Sequence, residues 1–173
     1  MVTVNLSARQ VIDPRIVEEV RAALAEAGLE PSRLVLEITE TVLMQDREAA
    51  ATSLSKLKAL GVRIAIDDFG TGYSSLAYLC NFPLDMLKVP REFVDALGCE
   101  ANAEAVTRAV VELAGALGLL TVAEGIETLS QQEHVTRLGC DLAQGYLFSR
   151  PVDAETVMAF MTGRLTPDLV PLQ

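Results

Sequence analysis

Positive charge is scarce in this sequence: 14 Lys and Arg stand against 24 Asp and Glu, for a formal net charge of −10. Such a surface repels phosphate backbones, which excludes a sequence-tolerant DNA or RNA binder and means that a phosphorylated ligand needs cations to mediate its contact. Cysteine is sparse too. Cys80, Cys99 and Cys140 are odd in number and form no C-x-x-C pair, which argues against a disulfide framework or structural zinc and points to the reducing cytosol. No apolar run approaches the roughly 20 residues of a membrane-spanning helix, and the N-terminus lacks the charged start and apolar core of a signal peptide. The segment is therefore expected to be soluble and cytoplasmic, although a larger parent protein remains free to carry an anchor. His134 is the only histidine; inside a predicted helix and away from strand ends, it reads as a surface residue rather than a catalytic one.

What is present is apolar material in abundance. With 173 residues, half of them hydrophobic, the chain can bury a single core and is expected to form one domain over residues 1–163, followed by a loose tail, 164–173. Short β-rich runs alternate with longer helical runs, the pattern of βα units around a mostly parallel sheet. Strands are predicted at Val2–Leu6, Leu34–Ile38, Val62–Ile66, Met86–Val89, Leu120–Ala123 and Cys140–Gln144, each nearly continuous in apolar residues, as a parallel strand covered on both faces should be. Helix punctuation agrees. Asp13 is read as a cap with Pro14 at the first helical position and Gly28 past the end; the next helix runs from Asp46 to just before Gly61. Thr128 and Gln131 form a capping box, Gly139 closes that helix, and Asp153 and Gly163 bracket the last one. Val106, Val110, Leu113 and Leu117 recur at helical spacing and predict the apolar face of a long helix. Cys140, opening a strand, reads as core rather than nucleophile, because a reactive thiol needs an electropositive, accessible setting.

The chemistry collects where the strands end: Asn5, Glu37, Asp67, Asp68, Lys88, Glu124 and Gln144 all end or follow an apolar run. In a (β/α) barrel those positions converge on one face, where catalytic groups gather. Carboxylates crowded in one pocket repel strongly unless divalent cations compensate. All-oxygen ligands favour Mg²⁺, Mn²⁺ or Ca²⁺ over zinc or copper, and adjacent aspartates can bind two ions ~3.5–4 Å apart, an arrangement suited to phosphodiester hydrolysis. Each residue also has a plainer reading. A single acidic residue after a strand is more often a helix cap or loop charge, and Lys88 is equally a salt-bridge partner for the carboxylates or a catalytic group.

Five stretches then carry a resemblance. They are Val4-Asn5-Leu6-Ser7-Ala8-Arg9-Gln10, Leu36-Glu37-Ile38-Thr39-Glu40, Ile66-Asp67-Asp68-Phe69-Gly70-Thr71-Gly72-Tyr73-Ser74-Ser75-Leu76, Ala123-Glu124-Gly125-Ile126-Glu127-Thr128 and Gln144-Gly145-Tyr146-Leu147-Phe148-Ser149-Arg150-Pro151. In this order they closely resemble the motifs of the EAL domain, the metal-dependent barrel that linearises cyclic di-GMP. The similarity runs from Val2 to about Met161. It implies an incomplete TIM-like (β/α) barrel of about six βα units, a cyclic di-GMP phosphodiesterase activity in bacterial signalling, and Mg²⁺ or Mn²⁺ as cofactor in a two-metal site. By resemblance Asn5, Glu37, Asp67 and Asp68 are metal ligands and Glu124 is a further ligand or the general base. Lys88 orients the attacking water, and Asp68 and Glu124 join it as the catalytic set. Gln144 sits by the phosphate, Arg9, Glu127 and Tyr73 are further substrate-binding candidates, and Glu40 holds the loop from Phe69 to Ser75. Tyr73 and Phe69 either contact ligand or anchor that loop.

The chain departs from the family in two places. The Glu-Ala-Leu tripeptide of the first family strand, with its metal-binding Glu and a nearby substrate-holding Arg, does not occur, so the opening strands are expected to be missing. Pro90, two residues after Lys88, stands where the family carries an acidic residue, and proline neither ligates a metal nor donates a backbone hydrogen bond. A barrel short of two strands exposes two edges, which predicts dimerisation, element swapping or marginal stability, or else further domains upstream. A non-catalytic cyclic di-GMP receptor is the competing reading.

Overall fold

The structure, a computed structural model, describes residues 1–70, 81–99 and 101–163. Tyr73, Cys80 and the segment 164–173 lie outside the described residues. The apolar runs form six strands, β1 (Val2–Asn5), β2 (Leu34–Thr39), β3 (Arg63–Asp67), β4 (Met86–Val89), β5 (Leu120–Ala123) and β6 (Leu142–Ala143). They are hydrogen-bonded in the order of the chain, and β1·β2, β2·β3, β3·β4 and β5·β6 are parallel pairs. Among the described residues, helices lie between β1 and β2, β2 and β3, β4 and β5, and β5 and β6, which is the βα alternation read from the sequence. Two compact units make up the chain, Met1–Lys88 with Glu112–Thr121, and Val89–Val111 with the described residues from Val122 on.

In the first unit the helices are α1 (Ala8–Val11), α2 (Ile16–Ala27), α3 (Glu40–Gln45) and α4 (Arg47–Ala59). Helix α1 starts on a capping box between Ser7 and Gln10, and α4 on Asp46, whose side chain accepts from the Ala49 N–H. Helix α2 begins later than predicted. Asp13 does not cap it; the carboxylate instead accepts from the backbone N–H of Arg15 at 2.9 Å and from its guanidinium at 3.1 and 2.7 Å, so the first helical residue is Ile16. Gly28 ends α2 in the left-handed conformation, φ 59°, as expected of a residue without Cβ. Register and the two-residue period of strands put Leu36, Ile38, Ile64, Ile66 and Leu87 on one sheet face, all fully buried. Val35, Ala65 and Met86 are buried on the other. Leu54 and Leu57 of α4 have no exposed surface, and burying one such side chain contributes about 1.5–3 kcal/mol.

The prediction of strands covered on both faces fails at the ends of the sheet order. Val2 and Val4 of β1 are 51% and 45% exposed; an end strand has one hydrogen-bonded neighbour instead of two. At the other end β6 has two residues rather than the predicted five. Cys140 precedes it and is half-buried, outside the core. The ladder nevertheless continues past β6, because Gln144 N–H donates to the Ala123 carbonyl at 2.8 Å and the Gln144 carbonyl accepts from Ile126 N–H at 3.0 Å.

The second unit carries α5 (Arg91–Asp95), most of α6 (Ala101–Leu117), α7 (Leu129–Leu138) and α8 (Ala154–Met161). The capping box of Thr128 and Gln131, the left-handed Gly139 and the Asp153 cap are all where the sequence predicts. Helix α6 is turned from its expected orientation. Its buried positions are Ala103, Thr107, Val110 and Ala114, whereas Val106 is 42% exposed and Leu113 and Leu117 are half-buried. Both stripes have the helical period and share Val110, so periodicity alone does not choose between them.

Candidate active site

The register of the first unit explains why its polar residues meet. Asn5 pairs with Glu37, Thr39 pairs with Asp67, and Ala65 pairs with Met86. Asp67 and Lys88 lie two residues beyond that last pair, so Asn5, Glu37, Asp67 and Lys88 occupy one face at the C-terminal ends of four neighbouring strands. Beneath them on that face lie buried Val35, Ala65 and Met86. Lys88 is 4% exposed, and its Nζ lies 2.8 Å from Glu37 Oε1 and 3.2 Å from Asp67 Oδ1. An ammonium withdrawn from water is tolerated only when paired, and these two carboxylates supply the pairing.

One lysine faces two carboxylates there, and Asp68 adds a third beside them. Asp68 adopts φ 54°, the one described non-glycine residue with positive φ, and its N–H donates to Asp67 Oδ1 at 3.0 Å. A short polar side chain tolerates that conformation best. The Asn5, Glu37, Asp67 and Asp68 side chains offer only hard oxygen acceptors and leave an excess of negative charge over Lys88. That donor chemistry favours a hard divalent cation over zinc or copper. Glu40 opens α3 directly after β2, is buried, and accepts a long 3.5 Å bond from the Gly70 N–H; the rest of the loop it was predicted to hold, including Tyr73, lies outside the described residues. Arg9 is exposed on α1, one turn past the end of β1.

In the second unit Glu124, Gly125, Glu127, Gln144 and Tyr146 line a cleft of about 450 Å³ together with Arg91 and Arg150. Gln144 Nε2 donates to Glu124 Oε1 at 2.6 Å, so the two predicted residues are hydrogen-bonded to each other. Tyr146 lies under the Arg150 guanidinium, 5.0 Å from carbon to ring centroid. Gly145 is required by packing: a Cβ there would collide with the Ile126 backbone. Arg91 was not singled out from the sequence. Its guanidinium lies 3.0 Å from Asp95 and 2.8 Å from Glu127, and these carboxylates, Asp95 foremost, hold its pKa above the ordinary arginine value. The available signal was its position, just past a strand end and beside Pro90. His134 lies on α7 with Nδ1 2.7 Å from the Ser130 carbonyl, outside the cleft lining.

The EAL domain family model matches residues 1–151. The bifunctional diguanylate cyclase/cyclic di-GMP phosphodiesterase MucR of Pseudomonas aeruginosa is 48% identical over 158 residues, covering 91% of this chain and 23% of that protein. Among solved structures, the PaMucR phosphodiesterase complex with c-di-GMP matches with a TM-score of 0.84 at 48% identity over 90% of this chain and 63% of that one. The manganese/cy-diGMP complex of Klebsiella pneumoniae BlrP1 matches with a TM-score of 0.81 at 36% identity, over 86% of this chain and 38% of that one. The chain spans between 20% and 28% of the length of the curated relatives it matches. Among the described residues no helix is long and apolar enough to cross a membrane.

Proposed function

This chain belongs to the EAL domain family, and we propose that it hydrolyses one phosphodiester of cyclic di-GMP to give the linear dinucleotide, using Mg²⁺ or Mn²⁺. The observation that carries this reading is buried Lys88 held between Glu37 and Asp67 on strand ends that also present Asn5 and Asp68. Asn5, Glu37, Asp67, Asp68 and Glu124 are the proposed oxygen ligands. Bound divalent cations supply the positive charge that eases deprotonation of water and stabilises the departing oxygen. With a chain charge of −10, that charge is also what brings a dianionic ligand to the site.

Water adds to phosphorus, the bond from phosphorus to a ribose oxygen breaks, and the proton lost by water ends on that oxygen. Lys88 orients the water, and its pairing with Glu37 and Asp67 fixes the ammonium in place. Glu124 is the proposed general base or a further ligand, and Gln144, which donates to it, orients its carboxylate beside the phosphate. Arg9, Glu127 and Tyr73 are proposed to contact the nucleotide, and Glu40 to hold the loop that begins at Phe69.

A specific residue favours a second reading, a receptor that binds cyclic di-GMP without turnover. Pro90 takes extended backbone, φ −60° and ψ 150°, just before α5, and presents no carboxylate where the family has one. Incubating the purified chain with cyclic di-GMP and Mg²⁺ or Mn²⁺, while following both binding and the linear product, separates the two. Product that disappears in Glu37→Ala supports the hydrolase; binding without product supports the receptor; loss of neither product nor binding in Glu37→Ala refutes the ligand assignment.

A further inference from the structure

Arg91, Asp95, Gln131 and Glu127 close a ring of hydrogen bonds within the second unit. Arg91 Nη2 lies 2.8 Å from Glu127 Oε1 and Arg91 Nε donates to Asp95 Oδ2 at 3.0 Å. Asp95 Oδ1 accepts from Gln131 Nε2 at 3.0 Å, and Gln131 Oε1 accepts from the Glu127 and Thr128 N–H groups at 2.8 and 2.9 Å. We propose that this ring makes Arg91 a positioning residue, which sets the turn from Glu124 to Thr128 and thereby the placement of the Glu124 carboxylate. The functional half of this inference rests on the hydrolase reading above; the structural half does not.

Three observations argue that the ring serves the turn rather than helix α5. An arginine in the first turn opposes the helix dipole, and a cation four residues before an anion is the weaker order of such a pair, so the Arg91–Asp95 pair is poorly placed to stabilise a five-residue helix. The arginine stem also lies against the turn: a Cβ on Gly125 would meet Arg91 Cβ at 2.8 Å and Cδ at 2.9 Å, with Cγ nearer still. Gly125 itself has φ +70°, a conformation that glycine adopts without strain. The backbone between Glu124 and Thr128 therefore meets both the Arg91 methylenes and the Gln131 amide. The Arg91, Asp95 and Glu127 side chains are 54%, 44% and 38% exposed, so the pairs are screened and add little to global stability. Their consequence is local geometry.

The test compares wild type with Arg91→Ala, Arg91→Lys and Asp95→Asn. Hydrogen exchange needs no turnover: in Arg91→Ala the Glu127 and Thr128 amides are expected to exchange about tenfold faster while the melting temperature barely moves. Arg91→Lys, whose single ammonium reaches only one of the two carboxylates at a time, is expected to fall between, and Asp95→Asn to resemble it. With cyclic di-GMP as substrate, kcat of Arg91→Ala is expected to fall about tenfold or more, with a smaller change in KM through the released Glu127, because misplacing a reacting group costs mainly rate. Unchanged exchange at both amides overturns the ring. Faster exchange with unaltered kcat overturns the positioning role. A wild-type chain without turnover defeats the hydrolase reading, and the exchange measurement still decides the ring.

Discussion

Lys88 is the residue on which the first unit's chemistry turns. Replacing it with alanine leaves Glu37 and Asp67 facing each other without their cation, and is expected to destabilise the fold by roughly 3 kcal/mol, within the range for breaking a buried pair. Added Mg²⁺ or Mn²⁺ should recover more melting temperature in Lys88→Ala than in wild type, since the uncovered carboxylates gain most from a divalent cation; equal shifts in both proteins would remove these residues from the metal site. Asp13 gives a pH-dependent case. The Arg15 side chain and N–H lower its pKa from 3.8 to about 2. A carboxylate depressed in the folded state contributes stability that is present above the unfolded value, near 4, and is lost as pH falls through the folded one. Wild type should therefore exceed Asp13→Asn in melting temperature at pH 5, and the difference should shrink as pH falls from about 4 towards 2.

At the scale of elements, start signals and facing determine the outcomes. Thr128 accepts from the Gln131 N–H at 3.2 Å, and Thr128→Ala is expected to cost about 1 kcal/mol in chemical denaturation, the usual value of a lost N-cap. Helix α6 buries a polar group. Thr107 is fully buried with its hydroxyl unpartnered, so Thr107→Val, which keeps the shape and removes the polar atom, should be neutral or stabilising by about 1 kcal/mol. A clear loss of stability would mean that the hydroxyl has found a partner such as an ordered water. These two cases also divide the sequence's legibility. Caps at Thr128, Asp153 and Asp46 depend on residues three positions apart and were readable. The buried face of α6 depends on which neighbours it packs against, so Val106 was misassigned.

For the molecule as a whole, the exposed valines of β1 and the exposed Leu142 of β6 lead to one more expectation. Edges bearing apolar side chains promote association, so light scattering should show a mass that rises with protein concentration; a constant monomer mass with reversible melting would count against this. Chelation supplies the functional counterpart. Removing divalent cations should abolish hydrolysis and lower the melting temperature, because a ligand that binds only the folded state stabilises it.

Composition alone gives the excess of acidic residues, and apolar spacing and five ordered motifs are enough for parallel βα units and the family resemblance, because each of these is local along the chain. Residue pairing across strands was not accessible in that way. The sequence leaves Lys88 open between salt-bridge partner and catalyst; the structure gives it Glu37 and Asp67 as partners because the β2–β3–β4 register brings all three to one face. Arg91 does not stand out in the sequence, since its partners lie 4 and 36 positions away and the 36-residue separation has no periodic signature. Local spacing is encoded residue by residue, whereas register and long-range ion pairs exist only once the backbone has closed around them.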